Sequence, residues 1–161
     1  MIRFMNKKDK KIVMDIIRRT DMFTEAEINV AEELMDRYLS DSQQKDYRII
    51  VADDEKGVTG YLCYGPTDLT EGTYDLYWMA VAPEYQGRGY GKALLKWLED
   101  KVEEEHGRMI IIETSSQPKY ESTRQFYLRS GCQEVARIPD FYKSGDDRVI
   151  YVKRFDKKGV E

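Results

Sequence analysis

A glycine-rich segment in the middle of the chain has the residue types of a phosphate-binding loop. It reads Gln86-Gly87-Arg88-Gly89-Tyr90-Gly91 and is called the glycine loop here (residues 86–91). It stands between an apolar, strand-like run at 74–81 and an amphipathic helical run at 92–105. A chain that passes from a strand through glycines into a helix leaves backbone amides at the helix start without intrahelical acceptors, at the positive end of the helix dipole. The segment therefore predicts an anion site.

The charges along the helical run support this prediction. Basic residues crowd its beginning and acidic residues fill its far half: Arg88, Lys92, Lys96, then Glu99, Asp100, Glu103, Glu104 and Glu105. A helix without a ligand prefers the reverse, by roughly 0.3–1 kcal/mol for each surface charge. The pattern favours an anionic ligand. The structural alternative is a glycine turn that only lets a strand and a helix pack closely.

The length and composition predict one globular domain over residues 1–161, because a chain of this size buries about 70% of its unfolded surface. A net charge of −4 argues against a nucleic-acid partner. No apolar run approaches the roughly 20 residues of a membrane span, and the N-terminus is no signal peptide. Cys63 and Cys132 lie far apart, which favours buried, reduced thiols. We therefore expect a cytoplasmic protein with no membrane partner.

Hydrophobic periodicity predicts an α+β fold with the element order β-α-α-β-β-β-α-β-α-β-β. Thr24 and Glu27 have the spacing of a capping box at the start of the second helix. The single strand-helix-strand crossover around the third helix makes its two strands parallel, so the sheet is expected to be mixed. The predicted helices cover 10–19, 24–39, 92–105 and 118–131, and the predicted strands cover 1–5, 47–52, 58–64, 73–81, 108–114, 133–138 and 148–154. A turn is expected at 144–147.

Three kinds of phosphate loop compete for residues 86–91. A Walker loop needs four residues between its first glycine and the Gly-Lys pair, but three separate Gly87 from Gly91. The dinucleotide fingerprint G-x-G-x-x-G is one residue longer than the present run, although Glu113 ends a strand about 20 residues on, as that fingerprint asks. The third pattern, Q/R-x-x-G-x-G/A, is met by Gln86, Gly89 and Gly91.

Together with the runs AVAPEYQGRGYGKALL and TRQFYLRSGC, the third pattern resembles the GNAT superfamily of acetyl-coenzyme A-dependent N-acetyltransferases, over residues 74 to about 155. The resemblance implies a mixed, partly splayed β-sheet flanked by helices, acetyl-CoA as co-substrate, and no metal. It also implies that loop amides hold the pyrophosphate, that the pantetheine arm pairs with the strand before the loop, and that the Val81 amide polarises the thioester. The implied coenzyme-binding residues are Met79, Val81, Gln86, Gly87, Arg88, Gly89, Tyr90, Gly91 and Lys92.

The resemblance further implies direct attack of a primary amine on the thioester, in a ternary complex. Tyr127 matches the tyrosine of the family's helix motif and would protonate the leaving thiolate. Asp75 matches the base position of histone-type members, and Glu113 matches that of the N-terminal acetyltransferases of ribosomal proteins. An unshifted carboxylate is a weak base for an ammonium, so burial or a water relay must help it.

The sequence leaves the acceptor open between a small-molecule amine and a peptide N-terminus. A polyamine, an amino sugar, an amino acid and an antibiotic all fit the first class. A homodimer is also left open. Two other functions compete with the enzyme: a non-catalytic acyl-CoA-binding module or sensor with the same fold, and a nucleotide-binding redox protein.

Overall fold

The helices and strands follow one another in the predicted order. The computed structural model describes residues 1–155; the end of the predicted domain, residues 156–161, lies outside the described part. The strands are β1 (Ile2–Phe4), β2 (Arg48–Asp54), β3 (Gly57–Pro66), β4 (Thr73–Val81), β5 (Met109–Ser115), β6 (Gln133–Lys143) and β7 (Asp146–Arg154). The helices are α1 (Lys10–Arg19), α2 (Glu25–Ser40), α3 (Tyr90–Glu104) and α4 (Glu121–Arg129).

The strands form one mixed sheet in the order β1-β2-β3-β4-β5-β7-β6. β4 and β5 are parallel, as the crossover requires, whereas β1 with β2, β2 with β3, β5 with β7 and β6 with β7 are antiparallel. The parallel pairing runs from Thr73 opposite Met109 to Leu76 opposite Ile112, while β4 continues to Val81. The sheet is therefore mixed and partly splayed, as predicted.

The chain groups into two compact units, and β4 contributes to both. The first unit comprises Met1–Pro66 and Tyr77–Asp100, and the second comprises Thr67–Leu76 and the chain from Lys101 onward. The glycine loop belongs to the first unit, whereas Asp75, Glu113 and Tyr127 belong to the second. The single domain over 1–161 stays a prediction.

The first unit is built around the helices that the sequence predicts. The capping box forms at α2: the Glu27 amide donates to Thr24 Oγ1 at 3.1 Å, and the Thr24 amide donates to Glu27 Oε1 at 3.0 Å. These bonds satisfy two amides that a helix start leaves without partners. Trp78 of β4 meets Phe23 edge to face, with ring centroids 5.2 Å apart. The buried core includes Val13, Ile16, Ile17, Ile28, Met35, Ile49, Val51, Tyr61, Cys63 and Ala80.

The second unit shows the period-two alternation of a half-covered sheet. One face of β5 and β7 is buried and carries Ile110, Ile112, Val149 and Tyr151. Paired residues share a face, and successive residues point to opposite faces. The next residue in each strand therefore belongs to the other, less buried face.

Strand β6 runs further than predicted. It extends to Lys143 rather than ending at 138, and the expected turn at 144–147 shrinks to Ser144 and Gly145. The register shifts between Ile138 and Lys143, where Pro139 has no amide to donate and Asp140 has a φ of +54°. The alternation of apolar and polar residues that predicts a strand stops at this irregularity, although the strand continues beyond it.

Candidate active site

The glycine loop adopts backbone angles that other residues disfavour. A short 3₁₀ turn, Pro83–Tyr85, follows β4, and α3 begins at Tyr90. Gly87 has a φ of +76° and Gly89 a φ of +90°, and a Cβ added at either would meet nothing within 4 Å. These two glycines are therefore needed for the path of the backbone and not for close packing, so this geometry does not support the structural alternative.

The backbone amides of this segment are left open. The Tyr85 and Gln86 amides donate to Ala82 O at 2.9 Å and Pro83 O at 3.4 Å, and the next amide with a backbone acceptor is that of Ala93, which donates to Gly89 O at 2.9 Å. Within residues 1–155, no acceptor lies in hydrogen-bond geometry with the amides of 87–92. The first turn of α3 also contains no acidic side chain. Such a row of donors at a helix start suits an anion.

Two side chains hold the loop in place. Gln86 Nε2 donates to Val81 O at 3.1 Å, which joins two of the residues predicted to bind the coenzyme. The Tyr90 hydroxyl donates to Asp54 Oδ2 at 3.0 Å, and this bond raises the pKa of Tyr90. The Tyr90 hydroxyl thus anchors the start of α3 to β2, a role that the sequence did not suggest.

The other predicted coenzyme-binding side chains are accessible. Arg88 is exposed and its guanidinium lies 5.5 Å from the centroid of the Tyr85 ring, while Lys92 is exposed. Met79 and Val81 are half-buried and alternate along β4 with the buried Ala80. A coenzyme-binding role for these residues stays a prediction.

The two candidate bases lie on one face of the second unit's sheet. Asp75 is opposite Ile111 in the register, and Glu113 is two residues further along β5, so both carboxylates share a face. Asp75 Oδ2 accepts a hydrogen bond of 2.6 Å from Thr67 Oγ1. Glu113 forms an ion pair with Arg148 of β7. Both carboxylates are therefore engaged by neighbouring side chains.

Arg148 is the functional candidate that sequence reasoning missed. Its guanidinium carbon lies 4.6 Å from the centroid of the Phe141 ring, and its Nη2 contacts Glu113. Its Nε atom is buried and has no hydrogen-bond partner in the described part of the chain. A basic residue at the start of the last strand was the available signal, but the pairing of β7 with β5 that brings it to Glu113 was not readable. We call the surface of Asp75, Glu113 and Arg148 the Arg148 face.

The candidate acid, Tyr127, lies on the opposite face of the same unit. It projects from α4 and is 4% exposed, with its ring 6.0 Å from that of Tyr151. Tyr151 is paired with Ile112, so it points away from the face of Glu113. Burial raises the pKa of Tyr127, which keeps its hydroxyl protonated at neutral pH. The structure thus brings Asp75 and Glu113 together but separates both from Tyr127.

Several features of residues 1–155 bear on other chemistries. No group of three or more His, Cys, Asp or Glu side chains is arranged there to hold a metal ion. Burial raises the pKa of the Cys63 thiol to about 12, so it is a poor nucleophile. None of the helices in this range is long and apolar enough to cross a bilayer.

Comparison with known proteins identifies the family. Residues 45–134 match the family described as the acetyltransferase (GNAT) domain. A crystal structure of a protein from Desulfovibrio desulfuricans, assigned as a GNAT-family acetyltransferase, is 41% identical and aligns with a TM-score of 0.91 over 96% of this chain and 98% of that one. An uncharacterized N-acetyltransferase from Methanocaldococcus jannaschii is 30% identical over 105 residues. That alignment covers 65% of this chain and 64% of the relative, which is less than two thirds of its length.

A more distant structure shows the same fold with a ligand. An acetyltransferase from Salmonella typhimurium, solved with its cofactor acetyl-CoA, is 21% identical and has a TM-score of 0.73 over 98% of this chain and 94% of that one. This likeness concerns the fold alone. The family match and the Desulfovibrio structure are the stronger findings. The family match covers more than half of the chain, and the structure covers 96% of it. The chain belongs to the GNAT family of acetyltransferases.

Proposed function

We propose that the protein is an acetyl-CoA-dependent N-acetyltransferase that transfers the acetyl group to a primary amine by direct attack in a ternary complex. The observation that carries the proposal is the set of backbone amides 87–92, which find no acceptor within residues 1–155 and lie at the start of α3. A diphosphate is the anionic group that acetyl-CoA would present to such donors.

The residues of the first unit fit that co-substrate. The space around Gly87 and Gly89 is open, and the first turn of α3 has no carboxylate to repel a phosphate. Gln86 Nε2 holds the carbonyl of Val81 and so fixes the end of β4. We assign the Val81 amide to polarise the thioester carbonyl, a role in which one donor is worth roughly 2.7–4 kcal/mol. When bound, the co-substrate supplies the activated acetyl group.

The residues of the second unit would move the protons. A carboxylate of the Arg148 face, Glu113 in the first place and Asp75 in the second, accepts the proton that the amine loses as its nitrogen bonds to the acetyl carbon. Tyr127 donates a proton to the thiolate as the carbon–sulfur bond breaks.

One observation favours a second function. Glu113 is ion-paired with Arg148, and Asp75 accepts a hydrogen bond from Thr67, so each candidate base is already engaged by a neighbouring side chain. An acyl-CoA-binding module without turnover would need no free base. It would bind the same thioester through the glycine loop and release no thiol.

The test measures binding and turnover on the same preparation. Titration calorimetry with acetyl-CoA and, separately, NAD should show micromolar binding of acetyl-CoA alone. A thiol-release assay over a panel of primary amines, including polyamines, amino sugars, amino acids and short peptides, should then reveal turnover. Binding without thiol release from any amine would favour the module, and absence of acetyl-CoA binding would overturn both functions.

A further inference from the structure

The contact between Glu113 and Arg148 points to a particular class of acceptor. Glu113 lies on β5 and Arg148 on β7, and each side chain is partly accessible, with 37% and 25% of its surface exposed. The pair is only partly buried, and a ligand carboxylate that takes the place of Glu113 restores to Arg148 the charge contact that the exchange breaks. The guanidinium can therefore exchange Glu113 for another carboxylate.

Within residues 1–155, the Arg148 guanidinium has an N–H donor without an acceptor next to the group that contacts Glu113. Its contact with Glu113 uses Nη2, whereas its buried Nε donates to no acceptor in the described residues. The two N–H groups on one side of a guanidinium match the two oxygens of a carboxylate, and such bidentate pairs are the strongest that arginine forms. The Phe141 ring, 4.6 Å from the guanidinium carbon, limits the orientations of that fork.

We infer that the acceptor is a free α-amino acid, whose carboxylate takes the place of Glu113 on Arg148 and thereby frees Glu113 to act as the base toward the neighbouring amine. The inference rests on the proposed function and adds the substrate class to it. Because Glu113 and Arg148 are in direct contact, an acceptor that engages both should carry its amine and its carboxylate close together, as when both groups are attached to one carbon atom. An α-amino acid has that arrangement, and a polyamine or an amino sugar lacks the carboxylate.

The step balances without any further reagent. The ammonium form loses one proton to solvent before attack, and the free amine then bonds to the acetyl carbon and gives its second proton to Glu113. The carbon–sulfur bond breaks, and the thiolate takes a proton from Tyr127. The products are an N-acetyl amino acid and the free thiol. In this account Arg148 is a specificity-determining residue that binds the substrate carboxylate.

The exposed aromatic pair beside Arg148 suggests the first amino acid to test. Phe141 and Tyr142 are 47% and 48% exposed and meet edge to face with centroids 5.0 Å apart. An apolar or aromatic side chain on the acceptor could pack against them. Phenylalanine is therefore the natural probe, and phenylalaninamide is its partner without the carboxylate.

The experiment compares kcat/KM for phenylalanine and phenylalaninamide in three proteins: wild type, Arg148→Gln and Arg137→Gln. Arg137 is a matched control, because it is also ion-paired, to Glu134 and Asp147, and is paired with Val149 on the opposite face. The ratio of kcat/KM for the acid to that for the amide should be about 100-fold higher in wild type and Arg137→Gln than in Arg148→Gln, and the rate of Arg148→Gln with the amide should not fall, because Arg148 no longer holds Glu113 in that variant. Taking the ratio between proteins cancels the different amine basicities of the two compounds.

Arg148→Lys tests the paired N–H donors of the guanidinium directly, since lysine keeps the charge but lacks those donors. The preference of this variant for the acid over the amide should fall at least tenfold. An acid-to-amide ratio that is the same in Arg148→Gln as in wild type, with or without a loss of both rates, would assign Arg148 a purely structural role and overturn the inference. Calorimetric binding of phenylalanine that depends on Arg148 tests recognition of the amino acid separately from catalysis. Such binding without thiol release would support recognition of the amino acid and overturn the proposed enzyme. Thiol release with other amines, without any preference for a carboxylate, would support the proposed enzyme and overturn the inference that the acceptor is an amino acid.

Discussion

The glycine loop and the Arg148 face differ in whether their polar groups already have partners. In the loop, the backbone amides of 87–92 have no acceptor within the described chain. On the Arg148 face, the charged side chains engage one another or a neighbour: Glu113 pairs with Arg148, and Asp75 accepts from Thr67. Backbone donors near the surface can bind water, whereas the side chains of the Arg148 face already have protein partners. A ligand at the loop would therefore add hydrogen bonds without breaking any to the described residues, whereas a ligand at the Arg148 face would have to replace an existing contact.

The largest effect should come from removing the proposed base, Glu113, from the Arg148 face. Glu113→Gln keeps the shape of the side chain but cannot accept a proton, so kcat/KM should fall about 1000-fold at neutral pH, within the usual range for general-base catalysis. A thiol-release assay with the best amine measures it. Glu134→Gln is the matched control, because Glu134 is also a strand glutamate ion-paired with an arginine, Arg137, at 3.4 Å. A greater loss in Asp75→Asn would transfer the base role to Asp75.

The second-largest effect should come from removing the hydroxyl of Tyr127, the proposed acid. Tyr127→Phe removes only the hydroxyl, so kcat should fall about 100-fold while the Kd for acetyl-CoA stays unchanged. Tyr151→Phe provides the comparison, since Tyr151 is also buried and its ring is 6.0 Å from that of Tyr127. If both variants lose the same activity, the cluster supports packing and the proton comes from elsewhere.

The third effect tests whether the loop acts through its backbone. Gly89→Ala places a Cβ on a residue with a φ of +90°, which should displace the following amides and raise the Kd for acetyl-CoA about 30-fold, or about 2 kcal/mol. Gly145→Ala carries a similar strain at a φ of +82° in the turn between β6 and β7. Both variants should lose about 1 kcal/mol of folding stability in a urea titration, but only the loop variant should bind the co-substrate weakly.

The smallest effect should follow from loosening the anchor of the loop. Tyr90→Phe removes the hydrogen bond to Asp54, and the start of α3 should then hold its amides less firmly. We expect the Kd for acetyl-CoA to rise about threefold, because a side-chain hydrogen bond contributes roughly 0.5–1.5 kcal/mol. Tyr85→Phe alters the neighbouring ring, 5.6 Å away, and should leave the Kd unchanged. An unaltered Kd in Tyr90→Phe would show that the loop keeps its path without this anchor.

The element order was predictable because it depends on local patterns. α1 forms at the predicted residues, Lys10–Arg19, since its apolar positions repeat with helical spacing. The capping box at Thr24 and the positive φ of Gly89 are also local, as each depends on residue types within a few positions. The path of β6 beyond Ile138 was not predictable, because a bulge around Pro139 and Asp140 is stabilised by bonds to Asp147 and Gly145, on the returning strand and in the turn before it.

The sequence by itself determined the family, the order of helices and strands, and the loop whose glycines open a row of backbone donors. Only the tertiary structure decided that Arg148 contacts Glu113, that Tyr90 is tied to Asp54, and that Tyr127 lies on the face opposite the candidate bases. The physical reason is the range of the interactions. Backbone preferences act between neighbours in the chain, whereas a shift of one residue in strand register would exchange the two faces of β7 and separate Arg148 from Glu113.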